Sequence, residues 1–160
     1  MKPKVYLETS FLSFLTARPT RDVVTAAMIA QSKEWWAMER DNFDLFVSNI
    51  VVSEAAAGDA AAARRRIDAL KQIEALEADA EAHALAEVFL RGMALPPNAA
   101  DDALHIAIAA VRQLDYLLTW NCRHIANALL RGKIEGACRS VGLEPPIICT
   151  PEEILGDQKK

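Results

Sequence analysis

Short apolar runs alternate with longer helical patterns along this chain. Runs rich in β-branched and aromatic residues predict five strands, at 4–8, 45–48, 74–77, 116–119 and 145–149. Between them, apolar residues recur at spacings of three and four, which is typical of helices with one buried face. Seven helical segments are predicted, at 9–17, 22–40, 50–57, 60–73, 79–90, 101–113 and 123–141. This alternation indicates an α/β fold with a mostly parallel sheet covered on both faces.

The chain is predicted to form a single domain over residues 1–160. A length of 160 residues suits one hydrophobic core, and no repeat or Gly/Ser-rich linker divides it. The strongest internal punctuation is the Pro96-Pro97 pair, which indicates a loop.

Composition points to a cytoplasmic location without a membrane segment. The chain is 52% hydrophobic, but much of this share is alanine, and no apolar run approaches the roughly 20 residues that span a bilayer. The apolar stretch near the N-terminus is interrupted at Glu8, which argues against a signal peptide. The three cysteines are scattered, which favours reduced thiols over disulfides; they are Cys122, Cys138 and Cys149.

Charge and motifs exclude several functions. A formal net charge of -4 argues mildly against a general nucleic-acid binder but leaves local recognition open. The sequence contains neither a GxGxxG fingerprint nor a P-loop, so dinucleotide and P-loop nucleotide binding are not indicated.

Acidic residues follow the predicted strands. Glu8 ends the first strand, Glu54 lies on the helix after the second, and Asp101-Asp102 opens a strongly apolar helix. Ligands of open α/β sheets bind outside the carboxyl ends of the strands, where these side chains would meet. Carboxylates gathered there repel each other unless a cation lies among them. The pattern therefore indicates a divalent-metal site.

Four segments occur in the order and rough spacing of PIN-domain nucleases: 5–10, 51–54, 102–107 and 117–121. The chain most resembles the VapC-type toxins of toxin–antitoxin systems, from residue 4 to about 150. The resemblance implies a PIN-like three-layer sandwich with a central sheet of about five strands. It also implies an endoribonuclease that depends on Mg²⁺ or Mn²⁺, forms a homodimer, and is controlled by an antitoxin protein.

The resemblance also assigns residues. Glu8, Glu54 and Asp102 match the catalytic acids that hold the metal. Hydroxyl positions around the site are matched by Thr9, Ser10 and Thr119. Glutamate stands at the first position where aspartate is usual, and the fourth acidic position is a neutral amide, Asn121. One tightly held ion is therefore expected, and a second could arrive with the substrate.

Several side chains keep an alternative interpretation. Glu8 could simply be a favourable acid at a helix N-terminus. Asp101 is predicted to be the N-cap of its helix, with a supporting role at the metal as the alternative. His105 is expected to be a neutral core residue more than a contact to the site. His124 is predicted to orient either Asn121 or the substrate.

Basic residues beside the predicted strand ends are candidates for RNA phosphate contacts; they are Arg18, Arg21 and Arg123. Arg64–Arg66 is expected to be a solvated helix surface, because consecutive residues point in different directions. One ring of the Trp35-Trp36 pair is predicted to be buried and the other partly exposed. The alternative function is a PIN-like module that has lost catalysis and binds RNA or a protein partner.

Overall fold

In the computed structural model, residues 1–92 and 94–156 are described. Five strands among them form one sheet in the order β3-β2-β1-β4-β5, and every pairing is parallel. The strands are β1 (Lys4–Leu7), β2 (Asp44–Ser48), β3 (Glu74–Leu76), β4 (Tyr116–Leu118) and β5 (Ile147–Cys149). The predicted five-strand sheet is confirmed. The predicted domain also includes Met93 and residues 157–160, which lie outside the described part of the chain.

Seven α-helices of the described residues connect these strands. They are α1 (Thr9–Leu15), α2 (Val23–Met38), α3 (Asn49–Ala55), α4 (Ala60–Leu70), α5 (Ala80–Arg91), α6 (Ala100–Val111) and α7 (Ala128–Ser140). The order of strands and helices agrees with the prediction. Short 3₁₀ helices lie at Arg40–Asn42 and Pro151–Ile154. None of the described helices combines the length and the apolar character that a membrane crossing requires.

Two predicted helix starts are wrong. The segment from residue 123 to 127 forms turns, because the Asn127 side chain accepts the Leu129 N–H at 2.9 Å and α7 begins only after it. Asp101 is not an N-cap. The backbone N–H of Ala99 closes a turn onto Pro96, α6 begins one residue earlier than expected, and Ala99 occupies the cap position.

Helix α6 is the best-buried helix of the described chain. Its residues from Ala103 to Ala110 are all buried, so it is enclosed on every side. Burying a large aliphatic side chain such as Ile106 contributes about 1.5–3 kcal/mol, so α6 is held firmly by its packing. Its first turn remains accessible and carries Asp102, while His105 lies one turn further inside.

The tryptophan pair divides as predicted. Trp35 is fully buried and packs edge-on against Phe11, with ring centroids 5.5 Å apart. Trp36 is only partly buried, and the Arg40 guanidinium lies 4.9 Å from its ring centroid.

The arginines of α4, at 64–66, make more contacts than the predicted solvated helix surface implies. Arg65 donates to the carbonyl of Thr16 at the end of α1. Arg66 donates to the carbonyls of Ala55 and Ala57, at 3.0 and 2.6 Å, where α3 ends. Carbonyls at a helix C-terminus lack partners within the helix, and a cation there also interacts favourably with the helix dipole.

Replacing Arg66 with alanine is expected to destabilise the protein by about 1.5–3 kcal/mol, the usual contribution of hydrogen bonds to a charged group. Chemical denaturation would measure this loss. Arg64→Ala is the matched control, since Arg64 is exposed and makes no hydrogen bond in the described part of the chain. Equal stability of the two variants would show that the Arg66 contacts do not stabilise the end of α3.

Candidate active site

The candidate site lies at the carboxyl ends of the strands, at the point where the chain stops adding strands on one side of β1 and begins adding them on the other. Strand β1 is central, the chain first builds β2 and β3 on one side of it, and β4 and β5 then follow on the other. Ligands of open parallel sheets bind at such a switch point. Glu8 directly follows β1 and Thr119 directly follows β4, so both lie beside it.

Glu8 is a buried carboxylate, 4% exposed, with one oxygen fully engaged. Its Oε2 accepts the Ser10 N–H at 3.0 Å, the Ser10 hydroxyl, and the Thr119 hydroxyl at 2.7 Å. Through these contacts Glu8 is also the N-cap of α1, in agreement with its alternative interpretation as a favourable acid at a helix N-terminus. Its Oε1 has no hydrogen bond to the described residues and is not sealed off from solvent. One oxygen therefore fixes the side chain, and the other is free for a ligand.

Glu54 lies near the end of α3 and is held from two sides. Its Oε1 accepts from the Thr9 hydroxyl at 2.8 Å and pairs with His105 Nε2 at 2.6 Å. Burial raises the pKa of Glu54, but the hydrogen bond and charge of His105 and the Thr9 hydroxyl outweigh it, so the pKa is lowered. The second oxygen, Oε2, accepts no hydrogen bond within the described part of the chain. Glu54 therefore favours its anionic form.

His105 connects the carboxylates to the core. It is fully buried, as predicted, but its two ring nitrogens contact Glu54 and the Tyr6 hydroxyl, the latter at 2.6 Å. Burial lowers its pKa, while the hydrogen bond to Glu54 and the charges of Glu8, Glu54 and Asp102 raise it, and the net shift is upward. The field of all three acids thus reaches one buried imidazole. The geometry therefore supports the less favoured interpretation, in which His105 contacts the site.

Asp102 is bonded through both oxygens. Oδ1 accepts from Asn121 Nδ2 at 3.1 Å, and Oδ2 lies 2.9 Å from His124 Nδ1. The Asn121 carbonyl oxygen accepts the backbone N–H of His124 at 3.0 Å, and this donor fixes the orientation of the amide. Asn121 therefore holds Asp102 and the loop, and its carbonyl oxygen is already engaged. His124 contacts Asn121 through its backbone and Asp102 through its ring.

The remaining predicted residues are exposed. Asp101 lies in the first turn of α6 and makes no hydrogen bond through its side chain in the described structure. Arg123 lies on the loop between Asn121 and His124, beside the site. Arg18 and Arg21 lie beyond the end of α1, so about 10 Å of helix separates them from Glu8. A role in phosphate binding stays a prediction for all three arginines.

The carboxylate oxygens of the candidate site are suitable ligands for a hard divalent cation, but they do not form a complete set of metal ligands in this structure. Carboxylate oxygens are the ligands that Mg²⁺ prefers, and the ion retains several waters. Glu8 and Glu54 each keep one oxygen without a hydrogen bond in the described residues. No group of three or more His, Cys, Asp or Glu side chains there is already arranged to hold a metal ion. Metal binding would therefore require these side chains to move or water to mediate their contacts to the ion.

Sequence reasoning missed Tyr6 and Ser48 as parts of the site. The Tyr6 hydroxyl lies 2.7 Å from Ser48 Oγ, and Ser48 caps α3 by accepting the Val51 N–H. One signal was present, since Tyr6 and Glu8 are two residues apart and side chains at this spacing share a face of a strand. The partner of Tyr6 is 99 residues away in the sequence, so the contact itself carried no local signal.

Three solved structures share this fold. VapC20 of Mycobacterium tuberculosis, a sarcin–ricin loop cleaving toxin, matches with a TM-score of 0.58 and 17% identity, over 76% of this chain and 92% of its own. A structure of VapBC2 from Rickettsia felis bound to a DNA fragment from their promoter matches with a TM-score of 0.57 and 13% identity, over 91% and 97%. FitAB bound to an IR36 DNA fragment matches with a TM-score of 0.58 and 15% identity, over 96% and 99%.

No protein-family model matches the sequence, and no curated protein is significantly similar to it. At identities below 20%, the likeness to the three structures establishes the fold. The parallel five-strand sheet with flanking helices is therefore a PIN-like α/β sandwich, as the sequence predicted.

Proposed function

We propose that this protein is a divalent-metal-dependent endoribonuclease of the PIN-domain, VapC type, which hydrolyses RNA phosphodiester bonds. The observation that carries the proposal is that short hydrogen-bonded links connect all three acids at the switch point of the sheet. Thr9, the neighbour of Glu8, donates to Glu54, while Thr119 donates to Glu8 and accepts from Asn121, which in turn donates to Asp102. The fold shared with VapC20, a sarcin–ricin loop cleaving toxin, supports RNA as the substrate.

In this proposal Glu8, Glu54 and Asp102 hold one Mg²⁺ or Mn²⁺, with water completing its coordination. A bound ion of this kind lowers the pKa of a coordinated water and stabilises negative charge on the phosphate in the transition state. Each acid is oriented by its neighbours. Ser10 and Thr119 hold Glu8, and the other two acids are bonded by a second group of residues: Thr9, His105, Asn121 and His124.

The exposed arginines supply the substrate contacts. Arg123 is the strongest candidate for RNA phosphate, because it lies on the same loop as Asn121 and His124. Arg18 and Arg21 would contact phosphates further along the chain of the RNA. Such contacts position the substrate without selecting its sequence.

A protein partner is also part of the proposal. Structural neighbours are named as the pairs VapBC2 and FitAB, and we infer that an antitoxin controls this chain as well. Exposed apolar residues offer surface for such a partner or for a second copy in a homodimer: Val23, Val24 and Leu129. The free thiols of Cys122, Cys138 and Cys149 suit the reducing cytoplasm, where such an enzyme would meet RNA.

Purified, antitoxin-free protein is expected to cleave a structured RNA in the presence of Mn²⁺ or Mg²⁺ and to lose this activity in EDTA. The panel should include tRNA and a sarcin–ricin loop fragment, with products resolved on sequencing gels. Excess Mn²⁺ added after EDTA serves as the control and should restore cleavage. Cleavage that persists undiminished in EDTA would refute the metal-dependent mechanism.

The second candidate function is a catalytically degenerate module that binds RNA or a protein. The neutral amide of Asn121, whose carbonyl oxygen is engaged, favours it, as does the lack of a preformed metal cluster in the described residues. This candidate predicts RNA binding that EDTA leaves unchanged and no cleavage with any metal. The same set of experiments therefore separates the two functions.

A further inference from the structure

A series of buried hydrogen bonds connects Glu54 to three other residues. Ser48 Oγ lies 2.7 Å from the Tyr6 hydroxyl, and that hydroxyl lies 2.6 Å from His105 Nδ1. His105 Nε2 lies 2.6 Å from Glu54 Oε1. The side chains of Ser48, Tyr6 and His105 are each 0% exposed. The series joins β1, the start of α3 and the middle of α6 to a single carboxylate.

The direction of the contact between His105 and Glu54 follows from the carboxylate. An ionised carboxylate can only accept, so His105 Nε2 carries a hydrogen and donates it to Glu54 Oε1. The backbone N–H of Val51 likewise donates to Ser48 Oγ at 3.2 Å. The Tyr6 hydroxyl lies between Ser48 Oγ and His105 Nδ1, and it can donate to one of them and accept from the other. His105 therefore donates to Glu54 whichever way this hydroxyl points.

This arrangement leaves Glu54 with two distinct oxygens. Oε1 is bound by His105 and by the Thr9 hydroxyl, whereas Oε2 accepts no hydrogen bond from the residues that the structure describes. Glutamate has three side-chain torsions, and Glu54 is 35% exposed, so packing alone does not select one orientation. Two hydrogen bonds to the same oxygen do select one.

We propose that Tyr6 and His105 are positioning residues, which hold Glu54 through Oε1 so that Oε2 is presented to the metal ion. This inference rests on the proposed function, because it takes Glu54 to be a metal ligand. A donor that fixes a ligating carboxylate typically changes metal affinity or activity by about 10- to 100-fold when it is lost. Neither Tyr6 nor His105 needs to touch the ion or the RNA.

Tyr6→Phe tests the inference with the smallest change, because it removes only the hydroxyl. We expect the Kd for Mn²⁺, measured by calorimetry on the full chain after chelator treatment, to rise by about 10-fold. The Mn²⁺ concentration that gives half-maximal cleavage should rise in parallel, with KM for RNA unchanged. The matched control is Tyr116→Phe, since Tyr116 is the other tyrosine and its hydroxyl has no hydrogen bond in the described structure.

Two substitutions of His105 separate positioning from packing. His105→Gln places an N–H donor near the position of Nε2 and should retain more Mn²⁺ affinity than His105→Leu, which has none. Thermal unfolding would establish that each variant is folded, and Tyr6→Phe alone decides the question if His105→Leu is not.

A Kd for Mn²⁺ in Tyr6→Phe equal to that of Tyr116→Phe would overturn the inference while metal-dependent cleavage by the wild type stands. Wild-type protein that neither binds Mn²⁺ nor cleaves RNA would overturn the proposed function and the inference with it.

Discussion

Asp102→Asn is expected to reduce metal-dependent RNA cleavage by on the order of 100-fold or more, a larger loss than removal of an outer hydrogen bond causes. The substitution removes one of three negative charges from the proposed metal site. It also disturbs the local hydrogen bonds, because both oxygens of Asp102 face donors, one from Asn121 and one from His124. An amide has only one acceptor oxygen, so its NH₂ group must face either the Asn121 NH₂, which only donates, or His124 Nδ1, which can accept it only in the other tautomer.

The initial rate of cleavage with saturating Mn²⁺ would measure this effect. Asp101→Asn is the matched control. It also removes one negative charge, but from the neighbouring residue, whose side chain is exposed and makes no hydrogen bond in the described chain. Full activity in Asp102→Asn, with the wild type active, would remove Asp102 from the site. An equal loss in both variants would indicate a general effect of charge and not metal ligation.

The positions of the carboxylates could be predicted because they depend on local patterns. Glu8 and Thr119 each follow a short apolar strand, and parallel strands bring their carboxyl ends to one edge. Helix periodicity placed Asp102 and His105 one turn apart on α6. Strand order, in contrast, is a tertiary property, and the central place of β1 was not predicted from the residues.

The hydrogen-bond partners could not be predicted because they join distant parts of the chain. Tyr6 and His105 are separated by 99 residues, and Glu8 and Thr119 by 111. The error at Asp101 has a different cause. An acidic residue is common both at the N-cap and in the first turn, and only the turn from Pro96 to Ala99 decides where α6 begins.

These contacts explain how three acids coexist in a small region. Each one receives hydrogen bonds from neutral or basic donors: hydroxyls at Glu8, a hydroxyl and an imidazole at Glu54, an amide and an imidazole at Asp102. Such donors stabilise the charged forms but leave the mutual repulsion in place. A divalent cation would remove that repulsion. Metal binding should consequently stabilise the fold as well as enable catalysis.

Glu8→Gln is expected to abolish cleavage while raising the stability of the metal-free protein by about 1 kcal/mol, through relief of charge repulsion. Glu8 is 4% exposed, so its charge is poorly solvated. The glutamine amide oxygen can still accept from Ser10 and Thr119, which preserves the cap of α1. Its NH₂ group then replaces the free oxygen and cannot bind a metal ion.

Thermal unfolding with and without Mn²⁺ separates these effects. The wild type should gain about 2.7 kcal/mol at a Mn²⁺ concentration 100 times its Kd, whereas Glu8→Gln should gain little. Without metal, the Tm of the variant should exceed that of the wild type by about 2–4 °C. Glu74→Gln is the control, because Glu74 is exposed at the start of β3, the edge strand that β2 separates from β1. Equal stabilisation of wild type and Glu8→Gln by Mn²⁺ would show that Glu8 is only the cap of α1, and the metal would then have to be held without it.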